Sequence, residues 1–183
     1  FYGFIILLEN QYLVRDVVRI SGVAGVVERI TLRMTVLRDL EGTVHFIPNG
    51  QITTVSNMTQ EWSRALFDIP IAYKQNVDQA LEVIRALGNE LRSDDAFMPM
   101  ILDDLKMLGV DQFGESGVVI RFFIQTWPGK QWEIRREMLR RIKNRFDQLK
   151  IEIPFPHRTL FLRQEERFPP PPPSDGQAEA KSA

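Results

Sequence analysis

The sequence predicts an α+β protein built from a small antiparallel β-domain and a ferredoxin-like β-α-β-β-α-β domain. Residues 17–57 consist of short runs rich in Val, Ile, Leu and Thr, separated by Gly, Asn, Asp and Pro, as in a meander of short strands. Residues 66–163 alternate strand patterns with two amphipathic helical patterns in the order of a split βαβ domain. At 183 residues and 44% hydrophobic, the chain can bury a sizeable core.

Composition argues against several classes of function. The formal net charge of −1 gives no overall preference for nucleic acid or for an anionic membrane. The absence of cysteine excludes disulfides, cysteine nucleophiles and thiolate metal sites. The two histidines, His45 and His157, have no carboxylate pair or third ligand at a recognisable spacing. We therefore expect neither an enzyme nor a bound cofactor or metal.

The first eight residues, FYGFIILL, are apolar on every side and end at the polar run Glu9-Asn10-Gln11. Spanning a bilayer takes about 20 apolar residues, so this run cannot do so by itself. Its pattern fits either a buried core segment or the end of a longer membrane helix. Because the chain starts at Phe1 within an apolar run, we expect the sequence to be a piece of a longer protein.

The turns of the predicted β-domain have recognisable chemistry. Glycine adopts positive φ at no steric cost where a strand reverses, which is the role expected of Gly22, Gly25, Gly42 and Gly50. Pro48 cannot donate to a strand ladder and should end a strand. Taken alone, the phrase Ile47-Pro48-Asn49-Gly50 predicts only a tight turn.

The second predicted domain begins with a strand at 66–73, in which Pro70 indicates an edge position or a bulge. Asn76 is the predicted N-cap of a helix that runs to about Leu91 and has Gln79 at its third position. The remaining elements are strands at 105–111 and 117–127, a helix at 131–149 and a last strand at 158–163.

The helix at 131–149 is predicted to bury Trp132, Leu139, Ile142, Phe146 and Leu149. Its other positions are rich in Arg and Lys, which leaves three interpretations open. The helix could bind nucleic acid or lipid, it could pair with acidic residues of neighbouring subunits, or it could bias the local ion concentration.

The C-terminal residues 166–183 contain five consecutive prolines, Pro169 to Pro173, followed by small and polar residues. This composition favours an extended polyproline segment and cannot bury a core. A disordered tail is therefore predicted, with docking to a proline-recognising module as the alternative.

The order of the turn phrases resembles that of a known family. Gly22 and Gly25 shape a first bend, Leu37-Arg38-Asp39 enters a turn with Gly42, and a strand ends at Pro48-Asn49-Gly50. A Phe-Pro-x-Pro kind of phrase, here Ile153-Pro154-Phe155-Pro156, precedes the last strand. Over residues 1–163 the chain resembles the small-conductance mechanosensitive channel (MscS) family.

This resemblance implies four regions: the end of a pore-lining transmembrane helix (1–15), an Sm-like β-domain (16–60), the ferredoxin-like domain (61–165) and the disordered tail (166–183). Glu9 and Tyr12 would lie at the membrane interface. The residues that would line or flank the pore exit are Tyr2, Gly3, Phe4, Ile5, Leu7 and Leu8. The motif residues with structural roles would be Gly22, Gly25, Leu37, Arg38, Asp39, Gly42, Pro48, Asn49 and Gly50.

The resemblance further implies a multi-pass channel of the cell membrane that assembles as a homoheptamer, with this region mostly cytoplasmic as pore exit and vestibule. Membrane tension would open it to release ions and small osmolytes during hypoosmotic shock. Its partners would be identical subunits, the bilayer through upstream helices, and permeating ions, with no nucleic acid. The alternative is a soluble Sm-like ring protein that binds RNA through the basic helix.

Overall fold

The computed structural model describes residues 11–154, and these form two sheets and two helices. The first domain is a five-stranded antiparallel meander with strand order β4-β3-β2-β1-β5. Its strands are β1 (Val17–Ile20), β2 (Val23–Ile30), β3 (Met34–Arg38), β4 (Val44–Pro48) and β5 (Val55–Asn57). The predicted β-domain is confirmed, and Pro48 ends its strand as expected.

The core of the β-domain is formed by the inward-facing residues of its strands, in the alternation expected of a sheet with one buried face. Its buried members are Tyr12, Val18, Ile20, Val27, Leu37 and Ile47. The helix predicted for 1–15 is not present over 11–15, where the chain forms a bend and a turn. Tyr12, expected at a membrane interface, is only 1% exposed and packs in this core.

The second domain contains β6 (Ser63–Ala72), α1 (Val77–Ser93), β7 (Lys106–Phe113), β8 (Gly117–Thr126) and α2 (Gln131–Gln148). The sheet has the order β6-β8-β7, and both helices contribute to the core that its buried side chains form. The α+β prediction is confirmed in the order β-α-β-β-α. The predicted last strand and tail lie outside the described residues.

The helix α1 begins where the sequence predicted. The side chain of Asn76 accepts a hydrogen bond of 3.1 Å from the backbone N–H of Gln79, which satisfies one of the free N–H groups at the helix start. Ala80, Ile84, Leu87 and Leu91 form its buried stripe.

The helix α2 buries a different stripe from the predicted one. Ile142 and Phe146 are buried as expected, but the other buried positions are Gln131, Ile134 and Met138. Trp132, Leu139 and Leu149, which were predicted to be buried, are 36%, 37% and 43% exposed. Both sets have helical spacing, and the apolar residues of the buried set share one core with Phe67 and Phe122 of the sheet, whose stacked rings lie 4.6 Å apart.

Pro70 lies in β6, which has one neighbouring strand within the described part of the sheet, so the missing N–H of Pro70 is tolerated there. Beyond α2 the chain returns to this strand, where the N–H of Ala72 donates to the carbonyl of Glu152 over 3.0 Å. Among the helices within residues 11–154, none combines the length and the apolar character needed to cross a bilayer.

Candidate functional site

The turn between β3 and β4 is organised by the carboxylate of Asp39. Its Oδ1 accepts hydrogen bonds from the backbone N–H groups of Glu41 and Thr43, over 3.0 and 2.9 Å. Gly42 closes the turn at φ 89°, a conformation that favours glycine. An Asx-type turn is the ordinary use of aspartate at such a position, so Asp39 acts here through hydrogen bonds.

His45 completes this turn from β4. Its Nε2 lies 2.8 Å from Oδ2 of Asp39, and because an ionised carboxylate can only accept, Nε2 carries the proton. The hydrogen bond from His45 is the largest of the effects that hold the pKa of Asp39 below its ordinary value. His45 was predicted to have a structural role, and its hydrogen bond to Asp39 in the β3–β4 turn agrees with that prediction.

The neighbouring motif residues Leu37 and Arg38 face opposite ways at the end of β3. Leu37 is fully buried in the β-domain core, whereas the guanidinium of Arg38 is exposed on the surface. Arg38 donates to the carbonyl of Gly42 over 2.7 Å and forms an ion pair with Glu28 of β2. Arg38 thereby ties the β3–β4 turn to the adjacent strand.

A chain of buried polar groups leads from the Pro48-Asn49-Gly50 motif into the β-domain core. Asn49 is 2% exposed, and its Nδ2 donates to the carbonyl of Thr31 over 2.7 Å. Its Oδ1 accepts from the hydroxyl of Thr35 over 2.8 Å. Since that hydroxyl proton is used on Asn49, the Tyr12 hydroxyl, 2.8 Å away, must donate to Thr35.

This Tyr12–Thr35–Asn49 relay was not recognisable in the sequence, because its members are 23 and 14 positions apart. The only signals were an aromatic residue with a polar tip and an asparagine inside a turn phrase. Every member of the relay has a partner, which is the condition under which buried polar groups specify a unique packing. Asn49 therefore has a structural reason to occupy its position that goes beyond turn formation.

The motif glycines serve different purposes. Ser21 and Gly22 have φ values of 50° and 84° between β1 and β2, as a two-residue turn with positive φ at both positions requires. Gly25 lies within β2 without positive φ, and a Cβ there would be 2.5 Å from the carbonyl oxygen of Arg38. Gly50 belongs to a short 3₁₀ turn, lies in open space and also lacks positive φ, so the expected backbone role of Gly25 and Gly50 is wrong.

A second polar cluster, which sequence reasoning missed, joins the start of β1 to the end of β5. Asn57 donates from Nδ2 to Oδ2 of Asp16 over 2.8 Å, and the same carboxylate oxygen accepts from the N–H of Leu13 over 2.9 Å. The hydroxyl oxygen of Thr59 accepts from the N–H of Val17 over 2.9 Å. The segment that leads into the β-domain and the segment that leaves it are thus held side by side.

The basic surface of α2 is largely neutralised within its own chain. Glu137 pairs with Arg140 and Arg141, and Arg145 pairs with Glu90 of α1 at 3.1 Å. Hydrogen bonds from Arg140 are the leading cause that lowers the pKa of Glu137 to about 2. The acidic partners expected from neighbouring subunits are therefore supplied, for these arginines, by the same chain.

The pore-exit residues Tyr2, Gly3, Phe4, Ile5, Leu7 and Leu8 lie outside the described residues. Over residues 11–154, no three His, Asp or Glu side chains converge in a way that could hold a metal ion. The described residues form two domains, which the linker at residues 58–62 joins. The motif residues of the β-domain shape its turns and its close packing.

Comparison with known families matches both domains in the same order as the fold. The model described as "Mechanosensitive ion channel, beta-domain" matches residues 1–60, and the model described as "Mechanosensitive ion channel MscS, C-terminal" matches residues 65–153. The chain belongs to the MscS family of mechanosensitive ion channels.

Two relatives are a quarter to a third identical to this chain over the aligned residues. A small-conductance mechanosensitive channel of Caldanaerobacter subterraneus is 32% identical over 166 residues, which are 90% of this chain and 57% of the relative. The moderate conductance mechanosensitive channel YbiO of Escherichia coli is 25% identical over 83% of this chain and 20% of the relative. The chain thus spans a little over half of the first relative and a fifth of the second.

Solved structures confirm the fold. The crystal structure of Helicobacter pylori MscS in the closed state superposes with a TM-score of 0.71 at 22% identity, covering 89% of this chain and 64% of that one. The cryo-EM structure of Arabidopsis thaliana MSL1 gives a TM-score of 0.57 at 16% identity over 83% of this chain and 56% of that one. None of these matches supports the alternative of an RNA-binding ring.

Proposed function

We propose that the full-length protein containing this chain is a mechanosensitive channel, opened by membrane tension to release ions and small osmolytes during hypoosmotic shock. The observation that carries the proposal is the ordered match of both domains to two successive domains of one channel family. The names of the relatives agree with it. In this proposal the chain catalyses no reaction and needs no cofactor.

Within such a channel the β-domain and the α+β domain would form the wall of a vestibule below the pore, and residues 1–8 would flank the pore exit. Identical subunits, in a heptamer, would surround the permeation path, and the membrane would be reached through helices upstream of this chain. The ion pairs within α2 and between α2 and α1 offset part of the basic charge of α2, and the charge that remains would bias the local ion concentration in such a vestibule.

An osmotic downshock assay tests this function. Bacteria that lack their own mechanosensitive channels, supplied with the full-length protein, are moved from high-salt medium into water, and survivors are counted. The proposal expects survival to be restored to the level given by a known channel of the family. Survival no better than that of cells with an empty vector, with the protein present in the membrane, would contradict it. Native mass spectrometry of the detergent-purified protein tests the heptamer separately.

A further inference from the structure

A hydrogen bond joins the two domains at the backbone carbonyl of Met58. The N–H of Met58 donates to Val17 in β1 over 2.9 Å, so this residue belongs to the β-domain. Its carbonyl accepts from the hydroxyl of Ser63 over 2.9 Å and from Nε2 of Gln131 over 3.1 Å. Gln131 is the first residue of α2, so this bond joins the β-domain directly to a helix of the α+β domain.

Gln131 occupies an unfavourable place for its side chain. It is 7% exposed, and its Oε1 has no hydrogen-bond partner in the described part of the molecule. Leaving a buried acceptor unpaired costs free energy, which a leucine of similar size would avoid. The stability of the α+β domain therefore does not explain a glutamine at this position. The hydrogen bond from its side-chain amide to the carbonyl of Met58 does.

The segment between the domains is short and strained. Thr59 is fixed to β1 through its hydroxyl, and Ser63 already belongs to β6, so residues 60–62 are the only free connection. There the N–H of Trp62 donates to the carbonyl of Gln60 over 2.7 Å, around Glu61 at φ 60°. This three-residue turn with positive φ is an unfavourable conformation for glutamate, which the surrounding structure must hold in place.

We propose that Gln131 is a positioning residue that latches the α+β domain to the β-domain through the Met58 carbonyl. Residues 60–62 form the hinge about which the domains turn when that bond opens. Opening of the Gln131 bond leaves the carbonyl of Met58 paired, because the hydroxyl of Ser63 continues to donate to it. This last step rests on the channel function proposed above. There the latch would set the orientation of the α+β domain, as part of the vestibule wall, relative to the β-domain.

Hydrogen exchange of the full-length protein in lipid nanodiscs tests the latch, with Gln131→Leu compared with the wild type. The matched control is Gln148→Leu, the same change at the exposed far end of α2. With one hydrogen bond lost, amides at 60–62 and in the first turn of α2 should exchange about fivefold faster in Gln131→Leu. Amides of β1 and β2 should be unchanged, because Met58 stays bonded to Val17.

Urea denaturation followed by tryptophan fluorescence supplies the readout that separates a latch from ordinary packing. The three tryptophans of this chain, Trp62, Trp127 and Trp132, lie at or beyond the linker, and any tryptophan upstream of the chain is replaced by phenylalanine in all variants. The latch predicts that Gln131→Leu leaves the stability of the α+β domain unchanged or raised. Unchanged exchange at 60–62 would overturn the proposal. So would faster exchange throughout β8 and α2 together with lower stability. Neither readout needs channel activity, so the downshock assay can fail without deciding this test.

Discussion

Removal of the Asn49 side chain should loosen the β-domain by an amount that follows from its contacts. Asn49→Ala deletes the bonds to Thr31 and Thr35, at 2.7 and 2.8 Å, and leaves the part-buried carbonyl of Thr31 without this donor, while the hydroxyl of Thr35 keeps Tyr12 as its partner. Each net hydrogen bond is worth about 1 kcal/mol, and the carbonyl that loses its donor adds up to about 2 kcal/mol, so we expect a loss of about 2–4 kcal/mol.

Tryptophan fluorescence cannot report this loss, because the β-domain contains no tryptophan. Hydrogen exchange of the β2 and β3 amides reports it directly, and protection there should fall by roughly thirtyfold to a thousandfold. The control is Asn89→Ala, on the exposed face of α1, where the expected change is below about 0.5 kcal/mol.

A companion variant separates the contribution of the Tyr12–Thr35 bond from that of the bonds of Asn49. Tyr12→Phe removes one donor and leaves the Thr35–Asn49 bond intact, so it should cost about 1 kcal/mol, less than Asn49→Ala.

Exchange in β2 and β3 that changes less than threefold in Asn49→Ala would refute the reasoning, because the relay would then contribute nothing that water cannot replace.

The other predictions concern single positions. Gly25→Ala should destabilise the β-domain strongly, because its Cβ would meet the carbonyl of Arg38, whereas Gly50→Ala should be tolerated, and equal exchange in β2 for both would contradict this. Asn76→Ala should cost the α+β domain about 1 kcal/mol in urea denaturation, through the loss of the α1 cap. Glu137 has a folded-state pKa lowered from 4.5 to about 2, so its stabilising contribution is complete above pH 4.5 and is lost as the pH falls toward about 2. Glu137→Gln should flatten the pH dependence of stability in that window, and an unchanged slope would argue against the pairing.

The elements with strong local signals were predictable from sequence. Asn76 predicted the start of α1, Pro48 the end of β4, and Gly22 the turn between β1 and β2. These three features were predictable because each depends on backbone geometry within a few residues. The strand at 117–127 was likewise evident from its β-branched and aromatic residues.

Features that depend on distant contacts were not predictable. The sequence of α2 offers two overlapping apolar stripes that share Ile142 and Phe146, and only the position of the sheet decides that Met138 is buried and Leu139 is half exposed. Tyr12 follows an apolar run that predicted a membrane helix. In the structure its hydroxyl is hydrogen-bonded to Thr35 in the β-domain core.

The candidate site shows the same division. The turn phrase around Asp39 was recognisable because its hydrogen bonds are local, reaching Glu41 and Thr43. The latch at Gln131 was not, because its acceptor on Met58 is 73 positions away and nothing in the pattern of α2 distinguishes a buried glutamine from an exposed one.

The most direct test of the central claim is a patch-clamp recording from the full-length protein in membranes without other mechanosensitive channels. Suction applied in steps stretches the patch while current is measured at constant voltage. The account predicts channel openings whose probability rises steeply with tension and returns to baseline on release. A patch that contains the protein and stays silent up to the tension at which the membrane ruptures would contradict it.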